Sequence, residues 1–323
     1  MKNHLIILFS LLLFFSGCST HFHLDFLGQE RLEEVVLLKS PVKEKLLVID
    51  VEGFIGTFNS PGNLQREKDM IAKVYARLQK AAEDHNVRGI ILRLDTPGGE
   101  VTASDIIYNE ILRFKKRTGK PVVALMMATA ASGGYYIASA CDAIIAHPST
   151  ITGSIGVISI FPNVEDLLSK VGVQVTIIKS GEMKDSGSSF HPLTEEAKAM
   201  FQRIVDEHYN KFLDTVEKGR SSKITRVKLE EIADGRIFTA PEAQNLGLVD
   251  EIGYFNIAFQ EVMKLAGISA AEVIAYTYYP KQKTNLYSSR LSSSVLIVNQ
   301  QLEEIIPFLK SGFYYLWLPQ ALH

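Results

Sequence analysis

The first residue type with chemistry to offer is the hydroxyl of Ser132, in Ala130-Ala131-Ser132-Gly133-Gly134-Tyr135-Tyr136. The segment lies between an apolar run and a helix start, and Gly133 and Gly134 leave their backbone N–H groups sterically open. Negative charge developing there meets those donors and the positive end of a helix. Gly98 and Gly99, in Asp95-Thr96-Pro97-Gly98-Gly99-Glu100, occupy an equivalent strand-to-helix corner and offer another N–H. Small residues at such corners also serve close packing or a sharp reversal, so neither corner identifies a nucleophile by itself.

A serine hydroxyl becomes a useful nucleophile only beside a base. Ile177-Ile178-Lys179-Ser180-Gly181-Glu182-Met183-Lys184-Asp185 places two lysines after an apolar run. An amine can accept the proton if burial or neighbouring positive charge lowers its pKa. The plain alternative is a solvated turn in which Lys184 pairs with Asp185. Among the histidines, His147 and His191 stand beside prolines, while His85 and His208 fall on or near helices, where surface or packing roles account for them. Cys141, in Ile137-Ala138-Ser139-Ala140-Cys141, reads as a small buried thiol rather than a nucleophile. The chain lacks the Gly-x-Ser-x-Gly elbow and the Gly-x-Gly-x-x-Gly loop, which weakens two common α/β readings.

These residues need a scaffold. Leu46–Val51 reads as a strand, followed by a helix over roughly Gln65–Glu83 with Met70, Val74, Leu78 and Ala81 as its apolar stripe. Gly89–Leu94 and Pro121–Met126 are further strands, each running into a turn and a helix. Strand, turn and helix recur at intervals that argue for α/β architecture. More strands are expected at Ala143–Ala146, Ile155–Ile160 and Val173–Ile178, with a helix between the last two. Thr194 and Thr239 are helix caps, the latter with Pro241 and Glu242 in capping-box order, and Gly247 ends that short helix. A helical C-terminal extension completes the expected domain.

Taken together, Asp95–Gly99, Ala131–Tyr136, Thr152–Gly156 and Lys179–Asp185 resemble the signal peptide peptidase A family, in its short, single-repeat bacterial form. The resemblance runs from about Leu46 to Gly253. It implies that Ser132 is the nucleophile, Lys184 the general base, Gly99 and Gly133 the oxyanion-hole donors, and Ser154 the residue that orients Lys184. Asp185 receives no role, and Lys179 is the rival base. The resemblance further implies a Clp-peptidase-like, crotonase-like superhelix of strand–turn–helix units, a homo-oligomer, and endopeptidase action on apolar peptides, released signal peptides among them, without a metal, nucleotide or organic cofactor. The rival readings are a crotonase-like acyl-CoA enzyme and a catalytically silent membrane-associated peptide-binding scaffold.

The N-terminus sets the expected location. Leu5–Phe15 is apolar apart from Ser10, too short to span a bilayer as an ordinary helix and suited to a signal peptide. Phe15-Ser16-Gly17-Cys18 resembles a bacterial lipobox, with Phe15 where a branched aliphatic residue is usual. Lipidation at Cys18 implies membrane tethering in the bacterial cell envelope, exposed outside the cytoplasm, against the alternative of an ordinary signal peptide or an uncleaved anchor; Ser19 favours outer-membrane sorting, with a periplasm-facing inner-membrane location as the alternative. With only two cysteines, no structural disulfide framework is expected. A formal net charge of -2 gives no electrostatic case for nucleic acid. The expected division is a signal peptide over 1–17, a tether and lead-in over 18–45, a Ser–Lys peptidase domain over 46–267, and an extension over 268–323. Phe313-Tyr314-Tyr315-Leu316-Trp317-Leu318 in that extension suits core packing, a subunit interface or membrane-surface contact.

Overall fold

A computed structural model describes residues 31–56, 70–278, 285–286 and 312–317. Cys18 and the expected signal peptide lie outside the described residues. In chain order the elements are β1 (Glu33–Leu38), β2 (Lys45–Glu52), α1 (Met70–Glu83), β3 (Val87–Thr96), β4 (Gly98–Glu100), α2 (Val101–Thr118) and β5 (Val122–Ala131). Then come α3 (Gly133–Ala138), β6 (Ala143–Ala146), β7 (Ile151–Gly153), β8 (Ile158–Ile160), α4 (Glu165–Lys170), α5 (Glu195–Arg220) and α6 (Arg226–Ile232). The chain continues through β9 (Ile237–Thr239), α7 (Ala240–Asn245), β10 (Glu251–Ile252), α8 (Phe255–Ala266), β11 (Glu272–Thr277) and β12 (Gly312–Leu316).

The main sheet runs β1-β11-β2-β3-β5-β6-β10, with β7 and β9 attached beyond the end of β5. Its central pairings are parallel. Parallel strands are covered on both faces, which is why β2, β3 and β5 read as nearly unbroken apolar runs. Their side chains still alternate. Leu47, Ile49, Ile90, Leu92, Ala124 and Met126 face one core with Val74 and Leu78 of α1, Ile107 and Ile111 of α2, and α3. Leu46, Val48, Ile91, Val123 and Leu125 face a second core with Phe255, Ala258 and Val262 of α8. Gly89 marks how closely α8 approaches, since a methyl there would lie 2.5 Å from Val262 Cγ1.

Two expectations shift. The strand expected over Ile155–Ile160 shortens to β8 (Ile158–Ile160), and β7 precedes the expected span, ending before Ser154 at φ 48°. Val173–Ile178 carries a β-branched pattern but forms no strand, because no strand among the described residues offers it a ladder. Every residue from Val171 to Glu182 is exposed, Ile178 at 97%. After residue 267 the strand that Ala271–Tyr276 announces forms as β11 between β1 and β2, and β12 joins β4 and β8 in a second, three-stranded sheet; residues 287–311 of the expected helical extension lie outside the described residues. The caps at Thr194 and Thr239 form as expected.

One buried ion pair ties the end of α5 to the sheet. Arg220 donates to both carboxylate oxygens of Asp250, at 2.7 and 2.9 Å, and to the Gly247 carbonyl, while Asp250 also accepts from Ile144 N. Burial raises the Asp250 pKa, but the hydrogen bonds and charge of Arg220 outweigh it and the net shift is downward. A depressed carboxylate stabilises the fold above its unfolded value of about 3.9 and loses that contribution as pH falls through the folded pKa. Asp250→Ala strands the guanidinium and is expected to cost about 3–5 kcal/mol in urea unfolding at neutral pH.

Candidate active site

The end of β5 delivers Ser132, and the local pairing shows how. Ala130 and Ala131 pair with Thr152 and Gly153 of β7, and Ser132 N donates to Gly153 O at 2.8 Å. Tyr136 N then donates to Ser132 O, so the helix α3 begins at once. Buried Tyr135 fixes that helix by donating from its hydroxyl to Leu248 O at 2.9 Å. The abrupt change from strand to helix leaves Ser132 at φ 51°, ψ -111°.

Positive φ costs a non-glycine residue of order 1–3 kcal/mol and persists where the surroundings impose it, often at reacting centres. Among the described residues only two non-glycines have it, Ser132 and Ser154. They are the expected nucleophile and the expected lysine-orienting residue. Ser132 is 1% exposed and Ser154 6%. Because Ser132 N is bonded to the residue preceding Ser154, the two strained serines lie on adjoining strand ends.

The glycines converge on the same point. Gly98 at φ 104° turns the chain out of β3, helped by a hydrogen bond from its N–H to Thr96 Oγ1 at 3.0 Å. On one side of β4, Ile55 N donates to Gly98 O and Glu100 N donates to Ile55 O. Successive peptide groups of a strand point to opposite sides, so the Gly99 N–H points away from Ile55. That is the side of β12, where Tyr315 pairs with Gly99, and Gly133 adjoins it: a methyl placed on Gly133 would lie 3.2 Å from Gly99 N. Gly133 is the first residue of α3, where an N–H has no acceptor within the helix. The two expected oxyanion donors are therefore neighbours beside Ser132.

Glycine at 99 is a spatial requirement, since a methyl there would sit 1.9 Å from Ile55 O. Gly99→Ala must displace β4 and its N–H. The expected result is a fall in kcat of about 10²–10³-fold, the range for losing one oxyanion donor. Titrating active sites with an acylating probe separates this from a loss of folded enzyme.

Lys184 is not part of this cluster. It sits on the short turn Glu182–Asp185, exposed, and its side chain makes no hydrogen bond or ion pair with Ser132, Ser154 or any other described residue. The alternative reading, a solvated turn, describes its surroundings here, but Asp185 is not its partner. Asp185 instead accepts from Lys179 at 3.1 Å and lies 3.0 Å from His191 Nε2. The hydrogen bond to Asp185 raises the Lys179 pKa, which is the wrong direction for a base. Asp185, which had no role from sequence, thus holds the rival lysine in its charged form.

The other candidates fall away on similar grounds. None of the described histidines hydrogen-bonds Ser132. His147 packs edge-on against Tyr254 and contacts Ser149, and His208 packs against Phe313. Burial pushes the Cys141 thiol up to about 12, which keeps it protonated and inert. No cluster of metal-binding side chains occurs among the described residues.

A strained serine beside two adjoining glycine N–H groups at strand-to-helix corners is an arrangement that comparison can place. The profile of peptidase family S49 matches residues 114–269, and that of the Clp proteases matches residues 63–151. A protein of Enterococcus faecium named signal peptide peptidase SppA is 36% identical over 251 residues, spanning 78% of this chain and 72% of that protein. The chain belongs to the S49 peptidases. Protease 4 of Haemophilus influenzae is 35% identical over 81% of this chain. The chain spans only 42% of the length of that Haemophilus protein. The chloroplastic serine protease SPPA of Arabidopsis thaliana is 30% identical over 82% of this chain, which spans 39% of its length. As an S49 serine peptidase with a Clp-protease-like α/β fold, the protein is a hydrolase, and the acyl-CoA and silent-scaffold readings are set aside.

Proposed function

We propose that this peptidase hydrolyses apolar peptides, released signal peptides among them, through an acyl-enzyme formed on Ser132 with Lys184 as the base. The observation that carries the reading is the convergence of the Gly99 and Gly133 N–H groups beside the strained Ser132. In the first step neutral Lys184 takes the hydroxyl proton as Ser132 attacks a peptide carbonyl, and the two N–H groups hold the oxyanion. Protonated Lys184 then hands that proton to the departing amine. Water, deprotonated by the same amine, releases the acid. Ser154, buried beside Ser132, orients Lys184 through its hydroxyl.

Lys184 must be brought to Ser132, and the exposed arm suggests how. A run of unpaired, partly apolar chain offers free N–H and C=O groups to a neighbouring strand. In this reading Val173–Ile178 pairs with a second copy in a homo-oligomer, and Lys184, borne on the same arm, enters the neighbour's site.

Tethering at Cys18 keeps the catalytic body at the membrane of the cell envelope, outside the cytoplasm. No helix among the described residues is long and apolar enough to cross a membrane. The substrate assignment draws support from the name of the Enterococcus relative. It is tested by offering the full-length protein an apolar signal peptide and a polar unstructured peptide of equal length, with Ser132→Ala as control. Preferential loss of the signal peptide supports it. Equal or preferential digestion of the polar peptide contradicts the substrate class while leaving the chemistry standing.

A further inference from the structure

Lys184 rides on a turn whose next residue, Asp185, touches a side chain from beyond the foot of the exposed arm. Two backbone features fix that foot. Val164 N donates to Ser189 O at 2.8 Å, which joins the chain where the arm leaves the fold to the chain where it returns. Gly187, at φ 81°, passes so close to Phe161 that a methyl would lie 2.8 Å from its ring. Phe161 in turn packs on Phe201 of α5, with centroids 4.2 Å apart. Asp185 lies between this anchor and Lys184, so what holds its carboxylate also sets where the lysine stands.

His191 comes from the segment that leads into α5. Its Nδ1 is 3.0 Å from Pro192 O, and since a carbonyl only accepts, Nδ1 carries a proton. Its Nε2 is shut off from solvent, and Asp185 Oδ2 stands 3.0 Å away. A neutral ring with its proton on Nδ1 would aim a lone pair at that carboxylate. The imidazolium, with a proton on each nitrogen, suits both neighbours. The charged groups acting on the ring are Asp185, which favours the imidazolium, and Lys179, which opposes it while paired with Asp185 and Glu182. Lys179 reaches Asp185 from within the arm and folds the turn on itself. His191 ties the same carboxylate to the stem.

We propose that His191 is a positioning residue: as the imidazolium it holds Asp185, and through Asp185 it sets the turn from which Lys184 serves Ser132. The proposal rests on Lys184 being the base and adds the residue that holds the base's turn. The bond to the Pro192 carbonyl and the Asp185 carboxylate raise the His191 pKa above its ordinary value. The tie is therefore complete below about pH 6.5 and weakens as pH rises through the higher value in the folded protein. A neutral ring has one proton for two acceptors and must give up one contact.

The test measures kcat and KM for an apolar peptide with three full-length enzymes. Beside wild type stand His191→Arg, which keeps the charge at every pH, and His191→Phe, which keeps a ring with no proton to give. His191→Phe is expected to lose about 10–100-fold in kcat with KM unchanged, the scale for a displaced reacting group. At about pH 5.5 wild type should match His191→Arg, and at about pH 9 it should fall toward His191→Phe. With Asp185→Asn already in place, His191→Phe should have no further effect. Equal kcat in wild type and His191→Phe, equal loss in the Arg and Phe variants, or full additivity with Asp185→Asn overturns the proposal. Should His191→Phe fail to fold, the pH-dependent gap between wild type and His191→Arg decides alone. A Lys184→Ala enzyme with wild-type activity would instead overturn the assignment of the base, whatever the His191 variants do.

Discussion

Ser132→Ala is expected to lower kcat/KM by roughly 10⁴-fold or more, as removal of a nucleophile does when the remaining groups act only through it. The fold should be indifferent, because the hydroxyl makes no described side-chain hydrogen bond and the strained backbone is imposed by β7 and α3. Ser132→Gly separates strain from chemistry. Glycine adopts φ 51° freely, and relief of strain offsets its entropic cost of about 1 kcal/mol. That variant should therefore be as inactive as the alanine form yet unfold at the wild-type temperature or above. A marked loss of thermal stability in both variants would mean that Ser132 is a structural residue and that the turn is built for packing.

The second large effect concerns Lys184. Lys184→Ala alone is expected to lose about 10²–10⁴-fold in kcat/KM, the range for a general base. Lys179→Ala should retain activity, since Lys179 is engaged with Asp185 and its pKa is raised. The informative experiment is to co-express Ser132→Ala and Lys184→Ala, each inactive by itself. If one copy's arm completes the neighbour's site, random pairing restores wild-type partners at roughly a quarter of the sites. Recovery to about that level is the expected outcome. No recovery in a demonstrably mixed oligomer would place Lys184 in its own chain's site, through movement of the arm.

Much of this site was legible because its parts are local. Gly98-Gly99 and Ser132-Gly133 each end an apolar strand and open a helix, and both corners form as the residue types require. The alternating burial of β2 and β3 and the caps at Thr194 and Thr239 were readable for the same reason. What escaped depends on distant partners. Val173–Ile178 has the composition of a strand, but a strand is defined by its neighbour, and none lies within the described chain. Ile155–Ile160 read as a strand from its aliphatic residues, but only Ile158–Ile160 finds a partner, in β12, and that partner comes from more than 150 residues further along the chain. Asp185 took its role from Lys179 and His191 only once the turn was folded. The tail gave the plainest case. Phe313–Leu318 announced burial by its aromatic content, but only the register of β12 shows that Tyr315 lies opposite Gly99 and Leu316 opposite Gly98.

The central claim is that Ser132, set beside the adjoining Gly99 and Gly133 N–H groups, is the nucleophile. A serine-directed acylating probe, followed by peptide mapping, tests it most directly. The expected result is a single covalent adduct on Ser132, absent from Ser132→Ala and formed more slowly, though to the same extent, in folded Gly99→Ala. An adduct on another serine, or full labelling that persists in Ser132→Ala, would contradict it.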